Sequence, residues 1–183
     1  MRIISGSKKS IYIKAPNNLP SNVRPTTGKV KESLFNIILN KYDFKNLKVL
    51  DLFSGTGNIS YEFASRGCLE VISIDNNYNC IRFINKMSSQ LELNITTKKI
   101  DYKSYLKKNK KKFDIIFADP PYNFLIKQYY EIIELIKTNE ILIDEGELII
   151  EHSSKIKLTE KIKSIDERKY GSSVLSFIKK ASL

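Results

Sequence analysis

The sequence predicts an α/β domain: a mostly parallel, seven-stranded sheet with helices on both faces and an antiparallel hairpin at its C-terminal end. Three observations carry that expectation. From Lys48 onward, five short apolar runs, "KVLDLF", "VISID", "ITTKKI", "FDIIFA" and "ELIIE", alternate with stretches of helical periodicity. The runs are close to continuously apolar, as strands covered on both faces are. Such alternation builds parallel sheets through right-handed crossovers. The tail "KIKSIDERKYGSSVLSFIKK" then breaks the pattern with two extended runs around Gly171, which read as a hairpin at a sheet edge.

Taken in order, "RIIS" and "IYIK" flank "GSKK" as a small hairpin, so residues 1–26 are expected to form a β-hairpin arm ahead of a main domain over 27–183. After the polar stretch "KAPNNLPSNVRP", the segment "TTGKVKESLFNIILNKY" places Val30, Leu34, Ile37 and Ile38 on one helical face, with Thr26 or Thr27 able to cap its start. The first strand ends at Asp51; Gly55 and Gly57 follow in a tight turn, then a short helix ended by Gly67. Ile81, Ile84 and Leu91 mark a helix between the second and third strands. Leu125, Tyr129, Ile132, Ile133 and Ile136 mark another between the fourth and fifth.

Composition narrows the function classes. The 183 residues, 42% hydrophobic and 28% charged, suit one globular domain with a sizeable core. No run approaches the roughly 18 consecutive apolar residues of a membrane helix, and "MRIISGSKKS" lacks an apolar signal core, so a cytoplasmic protein without a membrane partner, acting as a monomer, is expected. Cys68 and Cys80 form no CxxC pair and histidines are not clustered, which suggests neither a disulfide scaffold nor a metal site. The formal net charge of +11 points to a polyanionic partner such as nucleic acid.

In a sheet of this kind ligands sit beyond the C-terminal ends of the strands. Gly55 and Gly57 would let the backbone approach a ligand closely there. A nicotinamide fingerprint would place a third glycine where Ser60 stands. Asp75, at the tip of the second strand, can accept both hydroxyls of a ribose, and Asp101, after the third, can accept from an adenine amino group. A glycine turn and these acids together indicate a nucleoside ligand.

The segment "FADPPY" supplies the second half of the site. Pro120 and Pro121 fix their own φ and restrict the residue before each, so the turn after the fourth strand is rigid. The Asp119 carboxylate and the held Pro120 carbonyl can accept the two hydrogens of an exocyclic amine, and Tyr122 can stack on the base that carries it. Methyl transfer to a base amine needs this arrangement, because positioning supplies most of the rate.

These stretches, "RPTTGKVKESLFN" (24–36), "VLDLFSGTGNISYEFASRG" (49–67) and "FDIIFADPPY" (113–122), resemble the bacterial family that methylates guanine N2 in 16S ribosomal RNA, among the class I S-adenosylmethionine-dependent methyltransferases. The resemblance spans nearly the whole chain and implies a Rossmann-like fold. It implies Asp51, Phe53, Gly55 and Gly57 around the cofactor's methionine part, Asp75 at its ribose and Asp101 at the adenine. Asp119, Pro120, Pro121 and Tyr122 would hold the target guanine. Lys8, Lys9, Arg24, Lys29 and Lys31 would meet the 16S RNA or the assembling small subunit. The chain departs from the family pattern at Gly28, usually an acid, and at Ser10-Ile11, usually Gly-Arg.

Two other readings stand beside it. A methyltransferase of the same class could act on DNA adenine or cytosine, or on a protein glutamine, although DNA enzymes usually add a target-recognition domain. An RNA-binding module on a decayed fold is the non-enzyme reading, against which Asp51, Gly55, Gly57, Asp75 and Asp119 argue together. His152 follows the fifth strand, but a guanine amine needs no strong base before attack.

Overall fold

In the computed structural model, which describes residues 1–15, 28–160, 162 and 164–183, the apolar runs become β1 (Lys48–Asp51), β2 (Glu70–Asp75), β3 (Ile95–Lys99), β4 (Phe113–Ala118) and β5 (Leu142–Ser153). The tail forms β6 (Asp166–Tyr170) and β7 (Ser173–Lys179). One seven-stranded sheet results, in the order β3-β2-β1-β4-β5-β7-β6. Strands β1 to β5 are parallel, and β7 is antiparallel to both β5 and β6. The order reverses between β1 and β4, so a crevice opens above their C-terminal ends.

Successive residues on a strand face opposite sides of the sheet, and here both sides are covered. Leu50, Ile72, Ile116, Leu148 and Ile150 pack against α4 (Tyr102–Lys108) and α5 (Ile126–Thr138), through Leu106, Ile132 and Ile136. Their neighbours Val49, Val71, Ile115, Phe117 and Ile149 pack against α1 (Gly28–Lys41) and α2 (Asn58–Ser65), through Leu34, Phe35, Ile38 and Phe63. Each such side chain stabilises the fold by roughly 1.5–3 kcal/mol when fully buried. Phe35 and Phe63 meet edge to face at 4.7 Å.

The structure departs from the sequence expectation in three places. β3 is partly exposed along its length, because it is the sheet's edge and has a single strand neighbour; Lys98 and Lys99 there discourage further pairing. β5 starts at Leu142, ahead of "ELIIE", with a register shift between Phe113 and Ile115 of β4. Leu125 caps α5 and is exposed rather than buried. The expected caps Thr26 and Thr27 lie outside the described residues.

Of the expected 1–26 arm, residues 1–15 are described, and the hairpin reduces to one antiparallel bridge, Arg2 with Tyr12. This loop does not project from the domain. Ile3 and Ile13 are buried with Tyr61 of α2, Leu93, and Ile84 of α3 (Tyr78–Gln90). Backbone bonds from Ser7 N–H to the Ser65 carbonyl (2.7 Å) and from Lys8 N–H to Ser65 Oγ (3.0 Å) hold it to the end of α2.

Candidate active site

Every strand that ends at the crevice delivers a polar residue to it. A cavity of about 560 Å³ opens there, lined by Asp51, Phe53, Ser54, Gly55 and Thr56 after β1, Asp75 to Asn77 after β2, Asp101 and Tyr102 after β3, and Asp119 to Tyr122 after β4. Its size lies within the range of small-molecule sites. The glycine turn and the Asp-Pro-Pro-Tyr turn, 62 residues apart from Gly57 to Asp119, thus share one space.

Asp51 is 1% exposed, and its Oδ2 accepts from Ser60 Oγ at 2.6 Å, which in turn accepts from Ser73 Oγ at 2.6 Å. Ser60, standing where a dinucleotide fold would have glycine, therefore serves the carboxylate below it. Burial, with a smaller contribution from the Asp75 charge, raises the Asp51 pKa to about 7, against the bond from Ser60. A buried acid in this state favours a cationic neighbour.

Asp75 ties the glycine turn to the turn that follows β2. Its Oδ2 accepts from Gly55 N–H (2.9 Å) and its Oδ1 from Asn77 N–H (2.7 Å). Burial pushes its pKa up, while the backbone N–H groups of Asn77 and Gly55 pull it down. Asp101 caps α4, accepting from Ser104 N–H at 3.0 Å, and is exposed at the cavity's rim. Bonds from Ser104 hold its carboxyl below the usual range.

Gly57 is placed differently from the expectation. It is buried and does not line the cavity, and a Cβ there would meet Tyr61 and Ile84 at 2.8 and 2.9 Å rather than a ligand. Its φ of +83° makes the turn that starts α2. Gly55, by contrast, does line the cavity.

Phe53, Tyr102 and Phe124 form a mutual aromatic cluster on one wall, with ring centroids 5.2–5.6 Å apart. Phe124 continues edge-on to Tyr129 (5.4 Å), and Tyr129 to His152 (6.1 Å). Burial first, then the neighbouring Asp119 charge, pushes the Tyr129 pKa to about 12. Pro120 is buried, and Phe124 N–H closes the turn on the Pro121 carbonyl at 2.9 Å. Tyr122 is 72% exposed at the mouth, open to a base arriving from solvent. His152 is buried, with Nδ1 on the Ser153 carbonyl (2.9 Å) and Nε2 on Ser176 Oγ (2.7 Å), and burial lowers its pKa.

Sequence reasoning assigned no role to Glu151 or to the Tyr170–Ser173 turn, all of which line the cavity. The turn reaches it because β7 inserts between β5 and β6, and Tyr170 is bonded to Ser33 of α1.

The basic residues divide. Lys9 and Lys29 are exposed, and Lys8 pairs with Glu92 at 3.5 Å. Arg24 lies outside the described residues. Lys31, expected to face RNA, is corrected by the structure: it is 3% exposed, donates to the Arg2 carbonyl (2.6 Å) and Asn58 Oδ1 (3.0 Å), and pairs with Glu62 (3.4 Å). Its charge is consumed inside the fold. Among the described residues no group of acids, histidines and cysteines could hold a metal, and no helix is long and apolar enough to cross a membrane.

The family model described as conserved hypothetical protein 95 matches residues 1–179. A putative rRNA methyltransferase, YlbH of Bacillus subtilis, is 34% identical over 167 residues, 88% of each chain. Ribosomal RNA small subunit methyltransferase D of Buchnera aphidicola subsp. Baizongia pistaciae is 38% identical over 141 residues, covering 76% of this chain and 69% of its own. In structure, a putative methyltransferase of Escherichia coli, yhhF, superposes with a TM-score of 0.81 at 24% identity, over 97% of this chain and 96% of that one. The glycine turn, the Asp-Pro-Pro-Tyr turn and these matches agree, and the chain belongs to the conserved hypothetical protein 95 family, together with ribosomal RNA small subunit methyltransferase D.

Proposed function

We propose that this protein transfers a methyl group from S-adenosylmethionine to the exocyclic N2 amine of a guanine in 16S ribosomal RNA, in free RNA or the assembling small subunit, as a cytoplasmic monomer. One observation carries the reading: the Asp119–Tyr122 turn and the Asp51, Gly55 and Asp75 turn open into a single cavity. Family membership supports the chemistry, and the net charge of +11 supports a polyanionic substrate.

The residues fit the cofactor. Two acids, one held near neutral pKa by burial, suit a ligand that carries an ammonium, a sulfonium and ribose hydroxyls. When bound, it supplies an electrophilic methyl group. Asp51 and the Ser54–Thr56 backbone would hold the methionine part, Asp75 the ribose, and Asp101 with the aromatic wall the adenine.

The rest is positioning. The Asp119 carboxylate accepts one hydrogen of the target amine and the Pro120 carbonyl the other, which aims the nitrogen lone pair into the crevice. Asp119 then stands ready to take the proton the amine gives up. Tyr122 offsets the stacking a base loses on leaving its helix or loop. Phe53, Tyr102 and Phe124 keep water from one side of the crevice.

The test is methylation with labelled S-adenosylmethionine of RNA from cells lacking the protein, followed by mapping of the modified nucleoside. N2-methylguanosine in 16S RNA is expected. Asp119→Ala should lower turnover by about 10²–10³, as loss of one preorganised contact does. Tyr122→Phe should retain activity and Tyr122→Ala should not, since stacking is worth roughly 1–3 kcal/mol per base. An unlabelled RNA, with label instead in DNA or in protein glutamine when these are offered in its place, would refute the assignment.

A further inference from the structure

Adenine, cytosine and guanine all carry an exocyclic amine, so a site that merely grips an amine does not select guanine. The ring position beside the amine differs. Guanine has N1–H next to N2, a second donor; adenine and cytosine have an acceptor nitrogen next to theirs. A flipped base is read along this edge. A site with two acceptors side by side fits guanine and places lone pair against lone pair for the other two.

Two carboxylates meet that description. β4 and β5 are parallel with Ala118 opposite Ile150, so Asp119, just past the end of β4, and Glu151, within β5, each follow directly on a paired residue of neighbouring strands. Both line the main cavity, and both line a smaller one of about 180 Å³ beside the Asp-Pro-Pro-Tyr turn. Glu151 is 8% exposed and lies within β5, paired with Leu175 of β7, which fixes its backbone. The neighbouring His152 has both ring nitrogens engaged elsewhere, which leaves Glu151 as the β5 side chain of acidic character at this wall.

We propose that Glu151 is the residue that selects guanine: with the target's N2 amine against Asp119, the Glu151 carboxylate accepts from guanine N1–H. The assignment rests on the reading of the site as a base-amine methyltransferase. Two neighbouring acceptors favour a donor-rich edge and penalise an acceptor placed there.

Nucleoside binding tests it directly. In the presence of S-adenosylhomocysteine, NMR titration would compare guanosine with 2-aminopurine riboside, which keeps the C2 amine but has an acceptor at N1. The native protein should prefer guanosine by about 10- to 100-fold. Glu151→Gln, whose amide can donate as well as accept, should bring the two ligands together by tightening 2-aminopurine riboside. An unchanged preference in a folded Glu151→Gln protein would overturn the proposal. The native protein gives a second measurement that needs no variant: 1-methylguanosine, which lacks the N1 donor, should fail to compete with guanosine, and equal competition would overturn the proposal too. If N2-methylguanosine is the mapped product while either result goes against Glu151, that assignment alone falls. If the mapped product is another atom, or guanosine does not bind at millimolar concentration, the site reading itself falls.

Discussion

Gly57→Ala separates the two roles that a glycine in a cofactor turn can have. With φ at +83°, an alanine there costs about 1–2 kcal/mol in left-handed strain. Its Cβ would also stand 2.8 Å from Tyr61 Cζ and 2.9 Å from Ile84 Cγ1, both in a tightly packed cluster, and overpacking costs typically another 1–3 kcal/mol. The sum is about 2–5 kcal/mol. At about 2–4 °C per kcal/mol for a chain of this size, Tm should fall by roughly 4–20 °C. Gly67→Ala supplies the control, because its φ is +87° and nothing lies within 4 Å of the added Cβ. It should carry the strain and none of the crowding. Urea unfolding of both variants, with calorimetry of S-adenosylmethionine below the transition, measures the difference. Equal stability losses at the two positions would refute the crowding argument. A Gly57→Ala protein of native stability that no longer binds cofactor would restore Gly57 to the ligand surface.

Three further outcomes follow from the same geometry. Burial raises the Asp51 pKa from its ordinary 3.8 to about 7, so the folded state binds the extra proton and stability should fall as pH rises from about 4 to 7, by at most roughly 4 kcal/mol; Asp51→Asn should abolish that slope in pH-dependent unfolding and weaken cofactor binding. Replacing Lys8, Lys9, Arg24 and Lys29 by Gln should reduce RNA binding and flatten its salt dependence. The same change at Lys107, Lys108, Lys110, Lys111 and Lys112 should do less, because that run precedes β4 at the edge opposite the crevice and Lys111 and Lys112 are already paired with Glu70 and Glu140. Gly6→Ala should lower both Tm and cofactor affinity although Gly6 lies outside the cavity, since its Cβ would fall 1.8 Å from the Ser65 carbonyl oxygen and lift the loop from α2; Lys9→Gln, exposed in the same loop, should change neither.

The parts of the site that sequence made legible are those set by local rules. A buried strand that ends in an acid and then glycine or proline announces its tip, and Asp51, Asp75 and Asp119 do meet at one crevice because strand order in such sheets is constrained. The parts that were not legible depend on pairing across the chain. In sequence, Glu151 is equally compatible with packing and with cofactor support until β7 pairs with β5, and the Tyr170–Ser173 turn reaches the cavity only through that insertion. Lys31 follows Val30 on a helix whose apolar face is otherwise regular, so nothing in its spacing shows that the N-terminal loop covers it. The direction a Cβ would take at Gly57 is likewise a property of packing, not of the GxG pattern. One signal was present and informative: "NISYEFAS" is apolar around an acid, and Glu62 proves fully buried.

That acid explains why the loop, the first helix and the cofactor turn behave as one unit. Glu62 accepts from Ile4 N–H (2.8 Å) and Ser5 N–H (3.0 Å), and pairs with Lys31 (3.4 Å) and Arg66 (3.0 Å). Removing one partner of a buried pair costs about 3–5 kcal/mol, because the other charge is left without compensation. The loop and α1 are therefore not separable from α2 at small cost. Gly57 caps the start of α2, and the helix's first residue, Asn58, accepts from Lys31 while lining the cavity. Lys31 thus joins the loop, at the Arg2 carbonyl, to Asn58 at the cavity wall.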